Sequence, residues 1–357
     1  MAKTGQKMLN NAQANNTSLD QPKISIAISP EFRAIFFIGA ICLAMGAALI
    51  ATTAVTYDEI MLAAEITLYS SFLNMLILGG AIYALVRVDP EKLKLGSDWP
   101  MRILAATVIV SFKIPFFGVF KQFTLKDRGF PLDEYIASSE RWLLGGHDAW
   151  QFTHAVFGSL NATLLIDRLY VLWGIPVVIL PILWMAFVKN WTVRVRLLLC
   201  WVMVWAIIGG VFAWVLSSAG PIFYNDVIGP DAGFANFNAV FEKLNIAAQN
   251  ANQQFYVTQN SALLLEHYQS TGYAPAKGIS AMPSVHVAMA VLFAIGGFQL
   301  HRVVGWAFVV YAAIIWVGSV HLGWHYLSDG LVSIVLTLAM WKLSKFIIRA
   351  PKNEASI

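Results

Sequence analysis

The chain has 357 residues, of which 58% are hydrophobic and only 12% charged, with a formal net charge of +4. Soluble proteins carry about 25% charged residues, so a chain this poor in charge cannot cover a water-facing surface, and an ordinary soluble fold is excluded. The small positive balance lies beside apolar runs and gives no argument for nucleic acid.

The first 32 residues are polar, with Asn and Gln prominent, and read as a cytoplasmic tail and not as a secretory signal. A bilayer core of about 30 Å takes about 20 apolar helical residues. Runs of that kind lie at 34–53, 60–86 (with Glu65 near its start), 103–120 (with Lys113), 169–188, 195–216, 285–297, 304–320 and 326–341. The expected fold is all-α, a polytopic transmembrane helical bundle. Two N-terminal helices occupy 33–100, six more form a membrane core over 101–348, and 349–357 is a second tail. Cys42 and Cys200 fall inside apolar runs, too few and too far apart for a disulfide framework or a metal motif, and read as packing residues.

Charge sets the expected orientation. The segments on the N-terminal side, 1–33, 87–102, 189–196, 298–303 and 342–357, hold sixteen Lys and Arg against six Asp and Glu. Basic loops stay in the cytoplasm, so both termini are expected there. The long loops 121–168 and 217–283 then face the periplasm, exterior or lumen. Within the first loop, Leu132, Ile136, Trp142 and Leu143 suggest an interfacial helix with an acidic face and an aromatic anchor. Within the second, 235–267 is helical in pattern but too polar to cross, and Phe237, Phe241, Leu244 and Ile246 are expected to pack over the bundle as a cap or a lid.

Two stretches carry chemistry. In the first, Pro283-Ser284-Val285-His286 opens an apolar run. A proline in the first turn loses no hydrogen bond, the helix start suits a bound anion such as phosphate, and a histidine one turn in can exchange a proton. In the second, 318–329, His325 and Asp329 are four apart and share a helix face if a helix begins at Tyr326. A carboxylate there holds one imidazole nitrogen and leaves the other lone pair free to attack. His321 is four before His325 and could share the surface. The orientation places both stretches on the outward side. A competing reading makes His286, His321, His325 and Asp329 metal ligands, although no HExxH, cysteine pair or acidic cluster accompanies them. A histidine-lined transporter and a non-catalytic scaffold are the rivals from other classes.

Together the two stretches resemble the type 2 phosphatidic acid phosphatase superfamily of membrane enzymes. That family's PSGH tetrad corresponds to Pro283-Ser284-Val285-His286, with Val285 in the glycine place. Its last motif, Ser-Arg, five residues, His, three residues, Asp, corresponds to Gly318 and Ser319 followed by His325 and Asp329. The family's basic motif, Lys, six residues, Arg-Pro, is missing from the outward loop that precedes the tetrad. Gly220-Pro221-Ile222-Phe223-Tyr224 stands there without a cation, and a Lys121/Arg128 pair of matching spacing, followed by Gly129, sits one outward loop earlier. These departures look like the inositol phosphorylceramide synthase branch, whose members are similar to the phosphatases but move a phosphoalcohol between lipids.

The resemblance implies a phosphotransferase acting through a phosphohistidine, with His325 as nucleophile, His286 as general acid and Asp329 orienting His325. Ser284, His321, Lys121 and Arg128 are the implied phosphate ligands, and no metal or other cofactor is needed. The implied substrate is a membrane phospholipid, sphingolipid or polyprenyl phosphate, with an alcohol or lipid as a possible acceptor. Hydrolysis of phosphatidate or of polyprenyl phosphates is the alternative.

Overall fold

The computed structural model describes residues 28–52, 56–88, 97–121, 128–270 and 278–349. The two polar tails expected from the sequence lie almost wholly outside them. Among the described residues there is no strand, and the architecture is an all-α polytopic membrane bundle. Six helices are long and apolar enough to cross a bilayer, and two shorter apolar helices complete the eight expected runs.

Helix α1 is Pro30–Thr52. Helix α2 (residues 57–88) comprises Tyr57–Asn74 and Gly80–Val88 joined by a π-helical stretch, Met75–Gly79. Thr56 starts it: its hydroxyl accepts from the Glu59 amide, and Glu59 accepts from the Thr56 amide, the reciprocal pattern that satisfies orphan donors. Helix α3 is Trp99–Phe120. Three helices then fill most of the first long loop: α4 (Asp133–Leu143), α5 (Ala149–Phe157) and α6 (Leu160–Val171). The fourth crossing begins at Leu160, nine residues earlier than expected, and runs through α7 (Gly174–Phe187). Hydropathy understates it because Asn161, Thr163, Asp167 and Arg168 lie on α6, where the buried polar groups find protein partners.

Helix α8 starts at Trp191 under an Asn190 cap and continues through a π-helical stretch, Val204–Phe212, to Val215. It is the centre of the bundle: 61% of its most apolar stretch is buried, against none of that of α2, which lies at the periphery. The second long loop holds a 3-10 turn at Pro221–Phe223, a short helix at Tyr224–Val227, α9 (Ala232–Asn250) and α10 (Tyr256–Gln269). Phe237 and Phe241 are buried and Leu244 packs against the core as expected, but Ile246 is exposed, on the opposite side of α9. Three helices close the chain: α11 (Val285–Leu300), α12 (Arg302–His321) and α13 (Leu327–Ile347). Helices α11 and α12 turn back on each other at His301. A Cβ on Gly297 would lie 3.1 Å from the Gly305 backbone, tighter than most Cβ contacts, so a glycine eases this close approach.

Opposite ends of the bundle differ in chemistry. At one end Arg194 of α8 forms a buried two-pronged ion pair with Glu31 of α1, and Arg196 ties α8 to Ser344 and the Trp341 carbonyl of α13. At the other end, the starts of α11 and α13, the end of α12 and the loop after α8 are knitted together around the histidines.

Candidate active site

The segment before α13 makes a sharp turn at Gly323, with φ of +73°. The turn lets the His325 amide donate to the Ser319 carbonyl at 3.2 Å and tucks the imidazole under the bundle. Helix α13 then begins, and Asp329 is its third residue. One carboxylate oxygen, Oδ2, accepts from the Tyr326 amide at 3.0 Å and lies 3.1 Å from His325 Nδ1. The group that satisfies the helix start therefore also orients the imidazole. Asp329 is fully buried, so its negative charge acts in a medium that screens little. With Nδ1 donating to this oxygen, Nε2 carries the lone pair. It lies 3.1 Å from the Ser284 hydroxyl.

Ser284 is the N-cap of α11, and its Oγ accepts from the Val287 amide at 3.3 Å. Pro283 therefore precedes the cap and does not occupy the first turn. The amides of Val285 and His286 fall in that first turn, where no intrahelical carbonyl reaches them. His286 is held by rings: Tyr170 stacks on it with centroids 4.9 Å apart, and Trp173 packs at 4.2 Å. The His286 and His325 rings meet edge to face, 5.9 Å between centroids.

Two cavities adjoin at this pair. One, of about 300 Å³, is lined by Asp167, Tyr170, Phe223, Asn260 and Trp324 among others, between α6, α10 and the loops. The other, of about 210 Å³, has a ring-rich wall of Phe117, Trp173, Trp205, Pro283 and Val285. Both are bounded by Lys121, Trp173, Ser280, His286 and His325. Lys121 lies one residue beyond α3, with Nζ 5.8 Å from the centre of the Phe117 ring. Burial pulls its ammonium down to about 8, because removal from water penalises the charged form.

Of the residues singled out in the sequence, His286, His325, Asp329, Ser284 and Lys121 converge. Arg128 and His321 do not join them. Arg128 is exposed, its guanidinium 5.3 Å over the Trp214 ring. His321 is fully buried on the far side of the α12 terminus. Its Nε2 lies 3.0 Å from the Thr163 hydroxyl and its Nδ1 3.3 Å from that of Thr153, and His154 stacks on it at 4.0 Å. His154 Nε2 donates to the His321 carbonyl at 2.9 Å, and burial lowers the His154 imidazole below the usual histidine range. His321 borders neither cavity. Among the described residues no cluster of three or more His, Cys, Asp and Glu side chains is arranged to hold a metal.

Sequence reasoning missed Tyr170, Trp173 and Ser280. Tyr170 and Trp173 sit at the α6–α7 junction, inside the expected run 169–188, where an aromatic ring gives no sign of a site, and Ser280 is one of many hydroxyls in a loop without periodicity. A family model described as the PAP2 superfamily matches residues 134–343. Comparison with curated proteins gives no match, and neither does comparison with solved structures.

Proposed function

The chain belongs to the PAP2 superfamily, a group of membrane phosphatases and phosphotransferases, and from that premise we propose that it moves a phosphate or phosphoalcohol headgroup from a membrane lipid to an alcohol through a phosphohistidine at His325. The observation that carries this reading is that His325, oriented from behind by Asp329, stands with His286 at the boundary of two cavities of unlike lining. Two compartments suit two organic partners, whereas hydrolysis needs room for only one and a water.

The neutral Nε2 of His325 attacks phosphorus, and the N–P bond forms as the bond to the leaving oxygen breaks. His286, protonated beforehand, gives its proton to the departing alkoxide, which is otherwise too basic to leave. Ser284, the first-turn amides of α11 and Lys121 take the non-bridging oxygens. In the second half, neutral His286 removes a proton from the acceptor hydroxyl. That oxygen attacks phosphorus, the N–P bond breaks, and His325 returns to its starting state. Asp329 stabilises the cationic ring at each stage. The excess of basic residues at the opposite end supports cytoplasmic termini and an outward-facing site.

The test is to incubate detergent-purified protein with headgroup-labelled phospholipids, with and without a long-chain alcohol, and to quench rapidly. An acid-labile, base-stable protein adduct and label in a new lipid are expected. Label released only as free phosphate or phosphoalcohol would assign hydrolysis. An acid-stable adduct would overturn the phosphohistidine.

A further inference from the structure

Asp329 is not the only carboxylate directed at the start of α13. Helix α4 lies outside the membrane spans and sends two more there. Asp133 and Glu140 are seven residues apart, so they share one face of the helix, with Ala137 between them packed in a buried cluster with Tyr326. Glu140 accepts from both the amide and the hydroxyl of Ser328, each at 2.6 Å. Asp133 is fully buried and takes three donors: the Tyr326 hydroxyl at 2.7 Å, the Ala219 amide at 2.7 Å and the Gly220 amide at 2.9 Å.

The donors on Asp133 lead to both histidines. Tyr326 follows His325 directly. The loop carrying Ala219 and Gly220 is joined to the segment before His286, because the Ala281 amide donates to the Ser218 carbonyl at 2.8 Å and the Met282 amide to the Ser218 hydroxyl at 3.0 Å. The same loop is joined to the segment before His325 by the Ile222 amide and the Gly323 carbonyl, 2.8 Å apart. Gly220 has φ of +95°, and a Cβ there would lie 2.7 Å from the Trp324 carbonyl oxygen, so the loop must pass this close. Burial pushes the Asp133 carboxyl up, against the pull of its donors. Burying such groups costs free energy unless they are hydrogen-bonded, and apolar residues would have sufficed merely to seat α4. Neither carboxylate borders the two cavities.

We propose that Asp133 and Glu140 are positioning residues: α4 clamps the start of α13 and the loop before α11, and so sets the separation and angle of His286 and His325. The inference rests on His325 being the nucleophile. A misplacement of about 1 Å in such a site can cost on the order of 10²-fold in rate.

The experiment is a single-turnover measurement of phosphoenzyme formation from labelled p-nitrophenyl phosphate, corrected for folded protein by size-exclusion profile and thermal unfolding. The variants are Tyr326→Phe, Asp133→Asn, their double, Glu140→Gln and Glu140→Ala. Tyr326→Phe loses one hydrogen bond but keeps the ring and the amide on Asp329. It should slow labelling about tenfold or more at unchanged KM. Adding Asp133→Asn should then cost less than in the wild type, because the two residues act through a shared bond. Glu140→Gln keeps an acceptor for Ser328 and should label nearly as fast as wild type, whereas Glu140→Ala should not. Wild-type labelling rates in both Tyr326→Phe and Glu140→Ala would overturn the clamp while leaving the nucleophile intact. So would a loss that tracks only the folded fraction. If Asp133→Asn fails to fold, Tyr326→Phe and the Glu140 pair still decide the matter. A wild-type protein that forms no adduct would overturn the phosphohistidine and the clamp together.

Discussion

Two histidine pairs lie at the same end of this bundle in opposite surroundings. His154 and His321 stack face to face at 4.0 Å, and their ring nitrogens meet only threonine hydroxyls and a backbone carbonyl. Among the described residues none of these partners is charged, and neither ring lines the two cavities described above. His286 and His325 meet edge to face at 5.9 Å, with a buried carboxylate behind one and cavities in front of both. Imidazole chemistry is the same in each pair. What separates a packing histidine from a reactive one is a charged group to fix its tautomer and space for a substrate.

The sharpest way to break that comparison is to remove the ring proposed as nucleophile. His325→Ala should abolish covalent labelling altogether. His286→Ala should still label slowly with p-nitrophenyl phosphate, whose leaving anion needs no proton, and the adduct should persist because its partner base is gone. Rapid quench shows both, and labelling that survives in His325→Ala would reverse the roles assigned here.

Asp329→Asn tests the group behind the ring. Turnover should fall by roughly 10²–10⁴-fold, as for other carboxylates that orient a catalytic histidine, with the protein still monodisperse. Full activity would dissolve the distinction drawn between the pairs.

Lys121 tests the space in front. Its ammonium is charged below about 8 and neutral above, so raising the pH through that value should weaken phosphate binding in the free enzyme. KM should rise with pH, by about tenfold per unit where one proton is needed, while kcat holds because bound phosphate keeps the lysine protonated. Lys121→Gln should show a high KM that no longer responds to pH in this range. A pH-independent KM in the wild type would remove Lys121 from the phosphate site.

The smallest effect on turnover belongs to the packed pair. His321→Ala should leave activity per folded molecule within about threefold, yet lower stability by about 1–3 kcal/mol, the cost of stranding buried hydrogen-bond partners. Thermal unfolding beside initial rates measures both. A loss like that of Asp329→Asn would place His321 in the reaction.

Periodicity and composition made the membrane bundle legible from the chain alone, because a long apolar run has few alternatives once each backbone group must be satisfied inside the bilayer. The His325–Asp329 pair was also legible, since four residues along a helix bring two side chains to one face whatever surrounds it. The spacing of His321 before His325 gave the opposite lesson. The chain leaves its helix at Leu322 and turns at Gly323 between them, so a helical interval no longer means a shared face. In the same way, the spacing of Lys121 and Arg128 suggested one basic site, and the fold brings the first, half-buried, beside the histidines while leaving the second exposed. The segment of α4 read as an interfacial helix with an acidic face. Only tertiary structure could turn Asp133 and Glu140 inward, by bringing donors from residues 86 to 193 positions away to meet them. Local spacing determines what neighbours on one helix can do, and the packing of distant segments decides which of them meet a charge, a cavity or a partner.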